Sequence, residues 1–176
     1  MNPATAPSPR VTVIGVGNEF RRDDGVGPAV VARLRERAAR GSLPAGVRLV
    51  CCDGEPGRLL GLWEGVETAL VVDAAHAHPG RPGRIHRLEP AGYEAWQAGT
   101  ASSHGLGLGE AVGLARALDR LPRRLVVHAV EVADGSLGTG LTPAVAAAVG
   151  PLMARIEQDI ARCLAGPRGG RATRSV

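Results

Sequence analysis

Residues 15–27 read "GVGNEFRRDDGVG" and end their turn on two adjacent acids, Asp23 and Asp24. An apolar run precedes them, and an amphipathic run follows. Two chemistries compete for such a loop. A dinucleotide fingerprint needs G-x-G-x-x-G, with the third glycine admitting a helix close to the strand. Gly15 and Gly17 fit that pattern, but Phe20 occupies the third position. Two carboxylates beside a pyrophosphate would also repel it. A P-loop requires lysine, and every basic residue of this chain is arginine. Phosphate is therefore a poor fit, and a cation is the alternative.

Other polar residues gather at equivalent points. Asp53 follows the run "VRLVCC", Asp73 ends "TALVVD", His104 stands in "SSHGLGLG", and Glu131 and Asp134 follow "RLVVHAVEV". Two carboxylates and one imidazole make an O,O,N donor set that suits nickel, zinc or iron and leaves coordination positions open. Each residue has an ordinary alternative. Either acid of the first loop can cap the helix that begins there. Asp73 can turn the chain, and His104 can be a solvated histidine before a helix. His76 and His78 lie close to Asp73 as auxiliary ligands at most, since histidines in a Pro/Gly loop are usually solvated.

The elements that must position these residues follow from periodicity. Five β-branched runs read as strands: 10–15, 47–52, 68–73, 83–89 and 124–132. Helical patterns lie between them at 24–39, 57–63 and 104–121, the last with Ser102 and Ser103 as caps. A final helix begins at "LTPAV", with Thr142 at N-cap and Pro143 at N1, and runs to about Leu164 with a kink near Pro151. Strands alternating with helices form a mostly parallel sheet covered on both faces. The connection 73–83, "DAAHAHPGRPG", is too short and too broken for a parallel return, so the fourth strand runs antiparallel. Functional groups in such sheets collect beyond the carboxyl ends of the strands.

The chain has 176 residues and a formal charge of +4. That length suits one domain, expected over 10–165, with disordered tails at 1–9 and at the arginine-rich 166–176. The tail contributes much of the basic excess, and no basic, aromatic face points to nucleic acid. No apolar run is long enough to span a bilayer, and the start lacks a signal-peptide pattern, so the expected location is the cytoplasm. Cys51, Cys52 and Cys163 form neither a disulfide framework nor a CxxC metal site. A monomer is the default expectation.

Taken together, "GVGNEFRRDDGVGPAVVARL", "LVVDAA" and "SSHGLGLGEAV", followed by "GLTPAV", resemble the motifs of the hydrogenase maturation proteases, over about residues 10–164. The resemblance implies an endopeptidase that removes a C-terminal extension from the large-subunit precursor of nickel–iron hydrogenase after nickel insertion. It implies a three-layer α/β/α sandwich around a five-stranded mixed sheet of order 2-1-3-5-4, with strand four antiparallel. Carried over, the metal-contacting and catalytic positions are Asp24, Asp73 and His104, while Asp23 caps the helix. The nickel is supplied by the substrate, so the protease's own site can be empty at rest. Asn18, Asp53 and Gly54 are expected to face the substrate. "CDGEPG" replaces the family's Asp-Gly-Gly-Thr after strand two, which leaves the target hydrogenase open. A non-catalytic nickel-sensing chaperone, or a hydrolase with a permanent metal, would use the same cluster differently.

Overall fold

The computed structural model describes residues 9–97, 100–102 and 107–166. The central strand β1 (Val11–Val16) is buried along its whole length and pairs in parallel with β2 (Val47–Cys52) and β3 (Thr68–Ala77). β3 pairs in parallel with β6 (Arg124–Glu131), and β4 (Ile85–Leu88) closes the edge antiparallel to β6. The order β2-β1-β3-β6-β4 is the expected topology, with the antiparallel strand where the short 73–83 connection requires it.

Helices cover both faces. On one side α1 (Val26–Ala39) and α5 (Pro143–Ala165) bury Val30, Leu34, Val149, Leu152 and Ile156 against Val11, Val13, Leu70, Val72 and Val126. On the other, α2 (Pro56–Trp63) and α4 (Gly107–Ala117) bury Leu59, Trp63, Leu108 and Val112 against Ile14, Val16, Val71 and Val127. The two core lists interleave along each strand because successive side chains point to opposite faces. With few aromatics, the core rests on many aliphatic side chains, each contributing about 1.5–3 kcal/mol when fully buried.

α1 lies unusually close to β1. A Cβ on Gly15 would stand 2.4 Å from the Gly27 carbonyl oxygen, and one on Gly27 would stand 2.3 Å from that of Val16. The first two glycines of the loop thus serve packing and chain reversal: Gly17 has φ 141°, a conformation side chains disfavour.

Several boundaries differ from the sequence reading. β3 continues four residues past Asp73 to Ala77, because a three-residue strand, β5 (Thr100–Ser102), pairs antiparallel with its end. A helix, α3 (Pro90–Gln97), occupies a stretch to which the sequence reading gave no element; Pro90 begins it. α1 begins at Val26, preceded by a 3-10 turn over Arg22–Gly25. α5 runs unbroken through Pro151. Ser102 lies in β5, while Ser103 and the expected start of the third helix at 104–106 fall outside the described residues. The tails at 1–8 and 167–176 also lie outside them.

Candidate active site at the carboxyl edge of the sheet

The first motif leaves β1 through Gly17 and forms a turn that closes on itself. Asn18 Oδ1 accepts from the Phe20 N–H at 2.9 Å, and the Asn18 N–H donates to Asp24 Oδ2 at 2.9 Å. Arg22 adopts the left-handed region at φ 45°, which reverses the chain into the 3-10 turn carrying both acids. A 3-10 turn has three residues per revolution, so neighbouring side chains diverge by roughly 120°. Asp23 and Asp24, though adjacent, therefore face different surroundings.

Asp24 is buried, and its turn packs against β3. Asp73 is also buried, within β3 rather than at its end, in register with Ala129. Its position in the strand alternation puts it on the face covered by α2 and α4. That face also carries Tyr93 of α3, buried beside it. Burial first, and then the charge of Asp73, push the Tyr93 phenol well above its ordinary pKa and keep it protonated. Tyr93 was missed in the sequence because its helix was missed; Pro90 at the helix start was the available signal.

His104 lies outside the described residues, but both flanks are anchored at this edge. Ser102 pairs with Ala75, two residues beyond Asp73. Gly107, the first residue of α4, is so near the β2–α2 loop that a Cβ on it would meet the Gly54 carbonyl oxygen at 2.4 Å. The described flanks, Ser102 and Gly107, thus lie at the end of β3 and against the loop after β2.

Asp23 does not cap its helix. Neither the 3-10 turn nor α1 has a side-chain cap bond at its start. Fully buried, Asp23 instead accepts from the N–H groups of Ala133 and Asp134 at 3.1 Å each, and from the Thr142 N–H at 2.6 Å and hydroxyl at 2.9 Å. Thr142 does precede α5 at N-cap, but its hydroxyl serves Asp23 and makes no cap bond. The fully buried carboxylate finds its four donors on a loop more than a hundred residues away, which offsets the cost of its burial.

The substrate-facing positions separate. Asp53 is exposed, and the Glu55 N–H, then Arg58, hold its carboxyl below the usual range. Gly54 is buried under the start of α4. Asn18 is exposed and braces the first turn. Glu55, in place of the family's glycine, caps α2 by accepting from Gly57 and Arg58 N–H. His76 falls three residues after Asp73 in the same strand, so it points to the opposite face, and His78 sits in the following loop. Among the described residues no three His, Cys, Asp or Glu side chains form a metal-sized group.

A groove of about 330 Å³ opens beside the turn, lined by Phe20, Arg22, Gly25, Pro28 and Leu141. Phe20 itself is largely exposed.

Residues 30–159 match the model of the family described as hydrogenase maturation protease. The chain belongs to the hydrogenase maturation protease family. The hydrogenase 2 maturation protease of Escherichia coli K12 is 26% identical over 147 residues, covering 84% of this chain and 88% of that protein. The structure of the hydrogenase maturating endopeptidase HybD from E. coli superposes with a TM-score of 0.72 at 25% identity, over 87% of this chain and 93% of that one. The [NiFe] hydrogenase maturation protease HybD from Thermococcus kodakarensis has the same fold, with a TM-score of 0.68 at 23% identity over 86% and 99% of the two chains. No helix among the described residues is long and apolar enough to cross a membrane.

Proposed function

We propose that this maturation protease trims the C-terminal extension from a nickel-loaded [NiFe] hydrogenase large-subunit precursor in the cytoplasm, and that it recognises the precursor's nickel through Asp24, Asp73 and His104. The observation that supports the reading is that two buried carboxylates come from neighbouring elements, Asp24 in a turn packed on the strand that holds Asp73. Buried carboxylates are rare unless paired, hydrogen-bonded or used for a cation. Oxygen donors from two aspartates fit a divalent nickel, and an imidazole would complete a borderline donor set.

Nickel arriving with the precursor would supply Lewis acidity, polarising the scissile carbonyl or lowering the pKa of a water. The protein's part is orientation. The Asn18 N–H fixes the plane of the Asp24 carboxylate by binding Oδ2. Tyr93, neutral beside Asp73, keeps an apolar wall next to that carboxylate. Such weak, incomplete coordination suits a metal already held by the precursor and lets it go after cleavage.

The test is mass spectrometry of nickel-loaded precursor before and after incubation with the protease. The wild type should release one C-terminal peptide, and nickel-free precursor should stay intact. Folded Asp24→Asn, Asp73→Asn and His104→Ala variants should leave the loaded precursor whole. Normal trimming by His104→Ala would sink the donor assignment. Precursor captured but uncut by the wild type would mark a chaperone instead, and stoichiometric zinc in the purified protein would mark a hydrolase with its own metal.

A further inference from the structure

We propose that Asp23 is a positioning residue for Asp24: its carboxylate fastens the β6–α5 loop under the first motif, and that latch holds Asp24 in its working orientation. The inference rests on the reading of Asp24 as a nickel-facing ligand. It deepens that reading by dividing the labour within the acid pair.

The latch is built from both sides. From the motif, the Asp23 carboxylate gathers the N–H groups of Ala133, Asp134 and Thr142 and the Thr142 hydroxyl. From the loop, the Asp134 carbonyl accepts the Asp23 N–H at 3.0 Å. Next to it a short parallel bridge joins Arg21 to Gly138, in which Gly138 N–H donates to the Phe20 carbonyl and Arg22 N–H to the Gly138 carbonyl, both at 2.9 Å. Arg22 Nε lies 3.4 Å from Asp134 Oδ2, and Arg21 Nε donates to the Gly135 carbonyl at 3.2 Å. These contacts hold Arg22 in a left-handed conformation that a side-chain-bearing residue adopts only when its surroundings impose it.

The conformation matters for Asp24. With Arg22 reversed, Asp24 N–H donates to the Arg21 carbonyl at 3.0 Å, and its carboxylate turns back to the Asn18 N–H. Loss of the latch lets Arg22 relax to an ordinary conformation, and the turn that aims Asp24 opens. Asparagine at position 23 cannot replace the acid. Its amide group would oppose a cluster of donors with a donor of its own. Groups that orient a metal ligand typically change affinity or activity ten- to a hundredfold when removed.

The Asn18 amide reports the orientation of Asp24 directly, since it donates to that carboxylate. Amide hydrogen exchange should be measured for Asp23→Asn, Thr142→Val and Thr142→Ser, alongside single-turnover cleavage of nickel-loaded precursor. In Asp23→Asn, Asn18 exchange should rise at least tenfold while the Ile14 amide, in the central strand, keeps its wild-type rate. The cleavage rate at saturating precursor should fall at least tenfold, with the half-saturating concentration within threefold of wild type. Thr142→Val should show a smaller rise in exchange, and Thr142→Ser, which keeps the hydroxyl, should restore protection. Unchanged Asn18 exchange, or exchange rising equally at Ile14, would overturn the positioning role. An inactive Asp24→Asn together with a fully active Asp23→Asn would overturn it while sparing the site. If Asp24→Asn also cleaves normally, the nickel-facing reading falls, and the inference with it.

Discussion

Two buried aspartates near opposite ends of α5 are stabilised by different means. Asp159 of α5 meets charge with charge: Arg87 of β4 grips it with Nε at 3.0 Å from Oδ2 and a second nitrogen at 3.0 Å from Oδ1, while His128 Nε2 stands 3.1 Å from Oδ2. Burial opposes ionisation of Asp159, but Arg87 and His128 outweigh it and hold its carboxyl below the ordinary range. Asp23 is as deeply buried, and it accepts from three backbone N–H groups and one hydroxyl. The contrast follows from location. Asp159 lies where β4, β6 and α5 pack, and an arginine can enter from the sheet edge. Asp23 lies where a cation-binding edge is proposed, and an arginine there would compete with the metal. Donors without formal charge stabilise a carboxylate and leave the local field negative.

If that division is right, neutralising the two regions should have opposite signatures. The largest effect should come from Asp73→Asn: cleavage of nickel-loaded precursor falls at least about a hundredfold while the circular dichroism spectrum and unfolding midpoint stay close to wild type. A large stability loss with residual cleavage would make Asp73 structural and erase the contrast. Asp159→Ala should do the reverse. It leaves Arg87 and His128 without their carboxylate and should cost about 3 kcal/mol, the low end for breaking a buried pair because Arg87 keeps partial solvent access. Thermal unfolding should then fall by roughly 6–12 °C for a chain of this size, with cleavage by the folded fraction unchanged.

Gly27→Ala tests the glycines of the first motif as packing residues. A methyl group there meets the Val16 carbonyl, so about 2 kcal/mol of stability should be lost by chemical denaturation through overpacking. Equal stability would reopen a ligand-binding role for those glycines.

The smallest effect is a pH dependence of the Asp159 cluster. Burial, working against the Asp159 charge, lowers the His128 pKa from 6.5. The unfolded chain then binds a proton before the folded one does. The stabilisation from neutral His128 is present above pH 6.5 and declines as the pH falls through its folded value. Asp159, also depressed, contributes above its unfolded value near 3.8 and is lost on further acidification. His128→Gln should flatten the arm just below pH 6.5, measured as urea midpoints across pH. An unchanged slope would mean His128 is charged in the folded protein.

Much of this arrangement can be read from the chain alone. The apolar runs and the short 73–83 connection set the sheet order and its one antiparallel edge, because strand periodicity and connection length are local properties. Strand ends in such sheets carry function, which put Asp23, Asp24, Asp53 and Asp73 among the candidates, and the family resemblance singled out Asp24 and Asp73. The missed features are non-local. β3 runs past Asp73 only because β5 returns to pair with it. Tyr93 joins the site by way of a helix hidden between short turns. Asp23 looked like a cap since its neighbours in sequence form a helix, but its partners lie 110 to 119 residues away.

The sequence by itself determined the fold class, the family and the edge of the sheet where chemistry can occur, all of which depend on patterns a few residues long. That one of two adjacent acids fastens a distant loop was decided only by the tertiary structure. A 3-10 turn sends neighbouring side chains in different directions, and the donors each one meets come from elements brought together by folding.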